Sequence, residues 1–343
     1  MTFDPQVGQL TCPFCGAKKE VAAKGAVVEH DLMDGLAATA ERGLGLAVRT
    51  VRCKECSAEV MFEPNVTATR CTFCGSPSVM ETEVEQPIRP ESVLPFRFDR
   101  ANAVDAYKKW LAGLWFRPSD LRAKAALGEI DGVYVPFWTY DCDVASTWTA
   151  DAGYYYYTTE TYTTEENGQT VTRERQVQHV RWEPAQGERS DSYDDILVCA
   201  SCGVPPALAA KLHTFDTTAL VTYSPEYLAG FRAERYAIEL GDGWNQAQAH
   251  VEKEQYQRCA GDVPGDTQRG LSVDNTLSNV TFKHVLLPLW IAAYRYRDQV
   301  HRFIVNGQTG EVQGTAPWSW FKIGFAVLVA IAIVLVIAQF ARR

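Results

Sequence analysis

Four cysteines between positions 53 and 74 have the residue type and spacing for defined chemistry. The stretch Cys53 to Cys74, CKECSAEVMFEPNVTATRCTFC, reads C-x2-C-x14-C-x2-C. Two C-x-x-C turns at that separation can face each other across a short hairpin and place four thiolates at the corners of a tetrahedron around zinc. Pro64 and Asn65 lie between the pairs, and Gly75 follows the second, where a metal knuckle needs a residue tolerant of positive φ. A disulfide pair or four unrelated buried thiols would leave the duplicated motif to coincidence. Cys53, Cys56, Cys71 and Cys74 are therefore the expected Zn2+ ligands. All four being Cys, no coordination position stays open for water or substrate, and such a site supplies folding energy rather than catalysis.

Cys12-Pro-Phe-Cys15-Gly16 is half of another ribbon, with no partner pair nearby in sequence. Cys12 and Cys15 are thus a candidate second zinc site. Cys199 and Cys202, His30 with one further ligand, or a second chain could complete it. A redox-active pair is the other chemistry open to C-x-x-C, but the strand and helix of a thioredoxin context are missing. Catalytic constellations are poor. No phosphate loop, dinucleotide fingerprint, H-E-x-x-H or G-x-S-x-G occurs, so no ATP-driven chemistry is expected. Asp141 and Asp143 share a strand face as paired carboxylates would, and also as solvated residues at a strand end would. Asp194 and Asp195 read the same way. His179, His213, His250, His284 and His301 lack metal spacing and read as surface or hydrogen-bonded side chains. A thiol enzyme using Cys142, Cys199 or Cys202 would need at least one thiol of depressed pKa.

The elements that must position these residues follow from composition and periodicity. A chain of 343 residues, 46% hydrophobic and 22% charged, is long enough for two or three domains with real cores. A net charge of -9 argues against a protein whose main business is neutralising phosphates, and Lys54 and Arg70 of the ribbon are opposed by Glu55, Glu59 and Glu63. Ten cysteines without an apolar leader in MTFDPQVGQL point to a reducing cytosol. From Ala22 to Ala47 the spacing predicts a short amphipathic helix, with Asp31 near its start and Gly43 and Gly45 as breaks. ETEVEQPIRPESVLP, residues 81–95, has linker composition and puts a boundary near Glu85.

Beyond it, Val135-Pro136-Phe137-Trp138 is echoed by Leu287-Pro288-Leu289-Trp290. Each copy follows a helical stretch, the first near Ala101 to Ala126 behind an Asp99 cap and the second near Glu226 to Cys259. An internal duplication building an α+β domain with an antiparallel sheet is the expectation. Pro136 inside its run implies an edge, a bulge or a strand start. Asn167-Gly168 suits a type I′ hairpin turn, and YRYRDQVHRFIVNGQTGEV turns at Asp298-Gln299 and again at Asn306-Gly307. The cluster Tyr154 to Tyr157 suits a packing surface or a ligand-stacking platform. From Ile323 to Ala341 the chain is apolar except for Gln339, long enough to cross a hydrocarbon core of roughly 30 Å. Trp318, Trp320, Phe321 and Lys322 precede it as an interfacial belt. Arg342 and Arg343 would then have to cross, since the thiols place the bulk of the chain in the cytosol.

CPFCG, CKEC with CTFCG, SVLPFRFDR, GVYVPFWTYDCDV, ILVCAS, LAGFRAERY, FKHVLLPLW, IVNGQTGEV and a terminal apolar helix occur in that order. In this the chain resembles the bacterial membrane-anchored proteins described as TFIIB-type zinc ribbon-containing, also labelled primosomal protein N′ or superfamily II helicase. Without a phosphate loop the helicase label has no motor behind it. The resemblance implies ribbons on a cytoplasmic domain held at the inner membrane. It also implies, in some relatives, association with flotillin-like (SPFH) or phage-shock-type membrane-stress proteins, and it carries no catalytic residues over. Relatives with two complete ribbons differ from this chain, where only one is intact.

The expected architecture is an N-terminal Cys knuckle and short helix (1–50), a zinc ribbon (51–84), a duplicated α+β domain with β-hairpins (85–317) and a transmembrane anchor (318–343). The expected function is a non-enzymatic adaptor or scaffold recruiting protein partners to the cytoplasmic membrane face. The alternative is a nucleic-acid-binding ribbon linked to replication or transcription, which the acidic balance disfavours and a steep salt dependence of DNA affinity would favour.

Overall fold

The computed structural model describes residues 1–21, 25–41, 50–61, 71–74, 76, 79–82, 88–121, 126–127, 130–166, 169–211, 214–297 and 299–341. In chain order come β1 (Thr2–Asp4), β2 (Gln9–Thr11), β3 (Lys18–Glu20), β4 (His30–Asp31), α1 (Leu32–Glu41), β5 (Thr50–Cys53), β6 (Glu59–Met61), β7 (Val79–Thr82), β8 (Ser92–Val93), α2 (Arg100–Gly113) and β9 (Ala126–Leu127). There follow β10 (Asp131–Glu166), β11 (Gln169–Cys199), α3 (Pro206–Ala209), β12 (Val221–Thr222), β13 (Arg232–Glu234), α4 (Leu240–Asp262), β14 (Thr267–Tyr296), β15 (Gln299–Asn306), β16 (Val312–Gly314) and α5 (Trp320–Ala341). Two compact units result. The first comprises Met1–Thr139, Leu197–Gly243 and Lys283–Arg343, the second Tyr140–Ile196 and Trp244–Phe282.

In the first unit, β1, β2 and β3 form a small sheet, and a larger one runs in the order β12-β8-β14-β10-β13-β6-β5-β7. Its central strands are apolar on both faces because both faces are covered. Tyr134, Leu286 and Trp290 share a core with Ala103, Tyr107 and Leu111 of α2. Val133, Val135, Phe137, Leu287 and Leu289 share another with Cys53, Cys71 and Phe73 of the four-cysteine segment. The sheet is mixed rather than antiparallel throughout: β13 runs parallel to β10, and β8 parallel to β14.

Those two parallel contacts relate two runs of similar element order. β8, α2 and β10 form one run of short strand, helix and long strand, and β13, α4 and β14 form another. Each short strand pairs with the long strand of the other run, Val133 with Arg232 and Val285 with Ser92. The prolines complete the equivalence, and they correct the expectation of an edge, a bulge or a strand start. Pro136 and Pro288 lie inside central strands, where each strand changes neighbours along one side. Past the β13 contact at Tyr134, the carbonyl of Pro136 accepts from Ala200 N–H at 3.0 Å. Past β8, the carbonyl of Pro288 accepts from Gly307 N–H at 2.8 Å, where β15 begins to pair. A missing N–H costs little at a gap between partners.

In the second unit, hydrogen bonds from Arg269 to Asp151, Asn279 to Asp143 and Thr281 to Asp141 fall in opposite chain order, so β14 lies antiparallel to β10. β11 pairs with β10 as the other arm of a hairpin. Val251 and Cys259 of α4 pack onto Cys142, Val144, Trp148 and Ala150 of β10. Beyond Gly153 the hairpin continues with exposed side chains: Tyr155, Tyr156 and Tyr157 face solvent and do not pack a core. The Asn167-Gly168 turn lies outside the described residues.

Several helices are shorter than expected. α1 starts behind Asp31, whose carboxylate accepts from Met33 and Asp34 N–H, and is described over Leu32–Glu41, beginning later than Ala22. Gly43 and Gly45 lie outside the described residues. α2 has the expected Asp99 cap and ends at Gly113. α4 begins at Leu240, not Glu226, because Gly230 in the left-handed region (φ +92) breaks the run and Arg232–Glu234 joins the sheet. The end of the supposed linker packs: Val93 and Leu94 are buried, and β8 pairs with β12 and β14. The β14–β15 turn closes with Tyr296 paired to Gln299, one residue earlier than expected, with Asp298 outside the described residues. At the next turn, Asn306 Oδ1 accepts from Gln308 and Thr309 N–H.

Candidate metal centre

β5 pairs with both β6 and β7, and this hairpin frames the four cysteines. Cys53 N–H donates to Ala58 O and Ser57 N–H to Cys53 O, both at 3.0 Å, which folds Cys53 to Ala58 into a tight knuckle. Ser57 takes the left-handed conformation that this requires (φ 59). On the facing side Cys71 N–H donates to Ser76 O at 2.7 Å. Pro64, Asn65 and Gly75 lie outside the described residues, as do Glu63 and Arg70.

The knuckles bring Cys53 Sγ to 3.6 Å from Cys74 Sγ, and Cys56 Sγ to 3.5 Å from Cys71 Sγ. All four sulfurs lie within 4.8 Å of one another. A tetrahedron with metal–sulfur bonds of about 2.3 Å has edges of roughly 3.8 Å. The four thiols therefore lie within about 1 Å of the spacing a metal ion needs. The hydrogen bond from Cys56 holds Cys71 down at about 5, helped by the Cys74 and Phe73 N–H groups and opposed by burial. The same bond and burial push Cys56 up, and burial raises Cys74 to about 11. A cation at the centre would replace these shared protons.

The centre is buried from behind by a segment that sequence reasoning did not assign to it. Gly203 sits against the Phe73 ring and Ala58. A Cβ there would stand 2.6 Å from Phe73 Cδ1 and 2.8 Å from Ala58 Cβ. Cys202 Sγ donates to Ser57 O at 3.0 Å. Glu234, fully buried, accepts from Gly203 N–H at 3.2 Å through Oε1, and its Oε2 has no hydrogen-bond partner among the described residues. Burial raises this carboxyl to about 8, so it stays protonated at neutral pH. The only sequence signal for it was a Glu beside Ala233 in a run too short to read as a strand.

Other candidate residues lie elsewhere. Cys12 and Cys15 form a knuckle between β2 and β3. Cys202 adjoins the four-cysteine cluster through Ser57, and His30 Nε2 meets Glu91 at 3.2 Å. Burial raises Cys142 and Cys202 to about 11 and Cys199 to about 12, which keeps all three as thiols rather than nucleophilic thiolates. Asp141 accepts from Asp195 N–H at 2.6 Å and from Thr281 Oγ1 at 3.1 Å, in mid-strand rather than at a strand end. Asp143 accepts from Ser192 and Asn279, and these bonds lower its pKa. Asp141, Asp194 and Asp195 bring their oxygens within 4.8 Å, an acidic cluster explained by the hairpin's own bonding.

His179 and Thr158 are 2.7 Å apart, and His250 stands 3.7 Å from Glu254. His284 and His301 are buried rather than at the surface, and His284 is hydrogen-bonded, as the expectation allowed. His284 Nδ1 lies 2.9 Å from the Ile88 carbonyl, to which it donates. His213 lies outside the described residues.

α5 is one helix long and apolar enough to cross a membrane, over Trp320–Phe340. Arg342 and Arg343 lie outside the described residues. No family model matches the chain, and no solved structure does. Over 247 residues, covering 72% of this chain and 69% of the relative, it is 27% identical to the uncharacterized protein YdjG of Bacillus subtilis (strain 168).

Proposed function

We propose that this chain is a non-enzymatic, membrane-anchored zinc-ribbon adaptor. Cys53, Cys56, Cys71 and Cys74 hold Zn2+, and α5 crosses the bacterial cytoplasmic membrane with the bulk of the chain in the cytosol. The ribbon and its sheet recruit protein partners of the flotillin-like or phage-shock type to the membrane face. The observation that carries this reading is the closed donor set. Four thiols converge, two of them almost wholly buried, and a tetrahedral ion held by all four would have no position left for a substrate. The zinc makes the ribbon rigid, and the anchor raises the local concentration of whatever the ribbon binds.

Contacts at the base of the anchor support the membrane reading. Trp115, Trp318, Trp320 and Phe321 are exposed, and Lys322 Nζ donates to the Trp115 carbonyl at 3.1 Å. Arg117 stacks 3.7 Å over Trp318 and donates to Ala316 O. This ring of aromatic and cationic side chains has the chemistry of a headgroup interface.

Crosslinking pull-down from native membranes tests the reading, with the full-length chain compared with a variant carrying Cys53→Ser and Cys56→Ser. A membrane-stress or scaffold protein captured only by the intact ribbon is the expected result. Recovery of nucleic acid alone, or of the same proteins with both baits, contradicts it.

A further inference from the structure

The N-terminal knuckle is a finished half-site. Cys12 N–H donates to Ala17 O at 2.8 Å and Gly16 N–H to Cys12 O at 2.9 Å, the bonding pattern of the Cys53 knuckle. Gly16 (φ +71) holds the left-handed position that Ser57 (φ 59) holds there. β2 and β3, paired antiparallel, carry the turn. Among the described residues, however, no third His, Cys, Asp or Glu stands with Cys12 and Cys15 to close a site.

Phe14 marks what is missing. It occupies the third position of C-P-F-C, as Phe73 does in C-T-F-C. Phe73 is 1% exposed, covered by Gly203 and its neighbours, whereas Phe14 is 97% exposed. The same side chain at the same place in the same turn thus has its cover in one knuckle and lacks it in the other. The tip TCPFCGA, residues 11–17, contains no charged side chain. This favours self-contact, because on a two-fold axis every charge would meet its own image.

We propose that two copies of this chain share one zinc ion between their N-terminal knuckles, each supplying Cys12 and Cys15, with the Phe14 rings packed in the contact. A second copy supplies the two missing thiols at the right spacing. Four thiolates on Zn2+ complete a closed tetrahedron, and soft sulfur ligands select that metal. Binding replaces four S–H bonds with four Zn–S bonds and releases four protons to solvent.

The test is native mass spectrometry of the full-length protein in detergent, kept reduced and titrated with zinc alone. The expected species is a zinc-dependent dimer with three zinc ions per pair of chains, one in each ribbon and one shared. Cys12→Ser with Cys15→Ser should give folded monomers with one zinc each. Phe14→Ser should keep the fold and weaken the zinc-loaded dimer by about tenfold. Monomers at saturating zinc overturn the proposal, whether they hold one ion or two. So does a dimer that survives the double substitution. Failure of the ribbon reading is distinct: it would remove the zinc that Cys53→Ser with Cys56→Ser removes, and leave the dimer in place.

Discussion

At the scale of single residues, sulfur and one imidazole carry the sharpest expectations. Cys71 is the thiol on which the Cys56 hydrogen bond and two backbone N–H groups converge. Cys71→Ser should abolish metal binding at the ribbon and lower the unfolding temperature. The loss is drawn from the roughly 10–16 kcal/mol that closed structural zinc sites provide, and zinc analysis with calorimetry measures both effects. His284 is held down at about 4, chiefly by burial. Its folded value lies below its unfolded one, so the imidazole contributes stability above pH 6.5 that is lost as pH falls through 6.5 toward 4. The full effect is about 3 kcal/mol. His284→Asn keeps a donor for the Ile88 carbonyl and cannot ionise. Glu234 and the other titrating groups are common to both chains, so the urea midpoint of the native chain should fall relative to that of the variant as pH goes from 6.5 toward 4. Equal slopes would show that another group governs acid unfolding.

At the scale of elements, Gly203 and the strand prolines decide how tightly the pieces fit. Gly203→Ala drives a methyl group into the Phe73 ring and Ala58. It should cost about 1–3 kcal/mol, read as a lower thermal midpoint with four-cysteine metal binding retained. Pro288→Ala adds an N–H where β14 passes from β8 to β15, and should change stability by less than about 1 kcal/mol. A proline at Leu287, inside the sheet core, should cost about 3 kcal/mol or more. The strand that pairs with β10 and brings Glu234 behind the ribbon is three residues long, too short for period-two alternation to reveal. For the same reason the mixed sheet was not legible. Its parallel contacts involve two residue pairs each, and they join segments far apart in sequence. What periodicity did reveal were the helix cap at Asp99 and the repeated apolar-Pro-apolar-Trp strand.

At the scale of the whole molecule, the two ends of the functional reading were legible because each rests on composition within one short window. Four cysteines at fixed spacing need no tertiary knowledge to be paired, and an unbroken apolar run needs none to be measured against a bilayer. What lies between was legible as a repeated helix-then-strand pattern, but not in the short strands, each of which pairs with the long strand of the other run. Truncation before Trp318 should leave a folded chain that moves from the membrane pellet to the soluble fraction; a truncated chain that still sediments with membranes would place membrane contact elsewhere. The central claim is that the ribbon holds zinc in a closed, non-catalytic site. Zinc K-edge X-ray absorption on the full-length protein in native membranes tests it most directly. Four sulfur neighbours at about 2.3 Å and no lighter ligand are the expected result. An oxygen or nitrogen neighbour at about 2.0–2.2 Å would mean an open or mixed site, and would contradict the account.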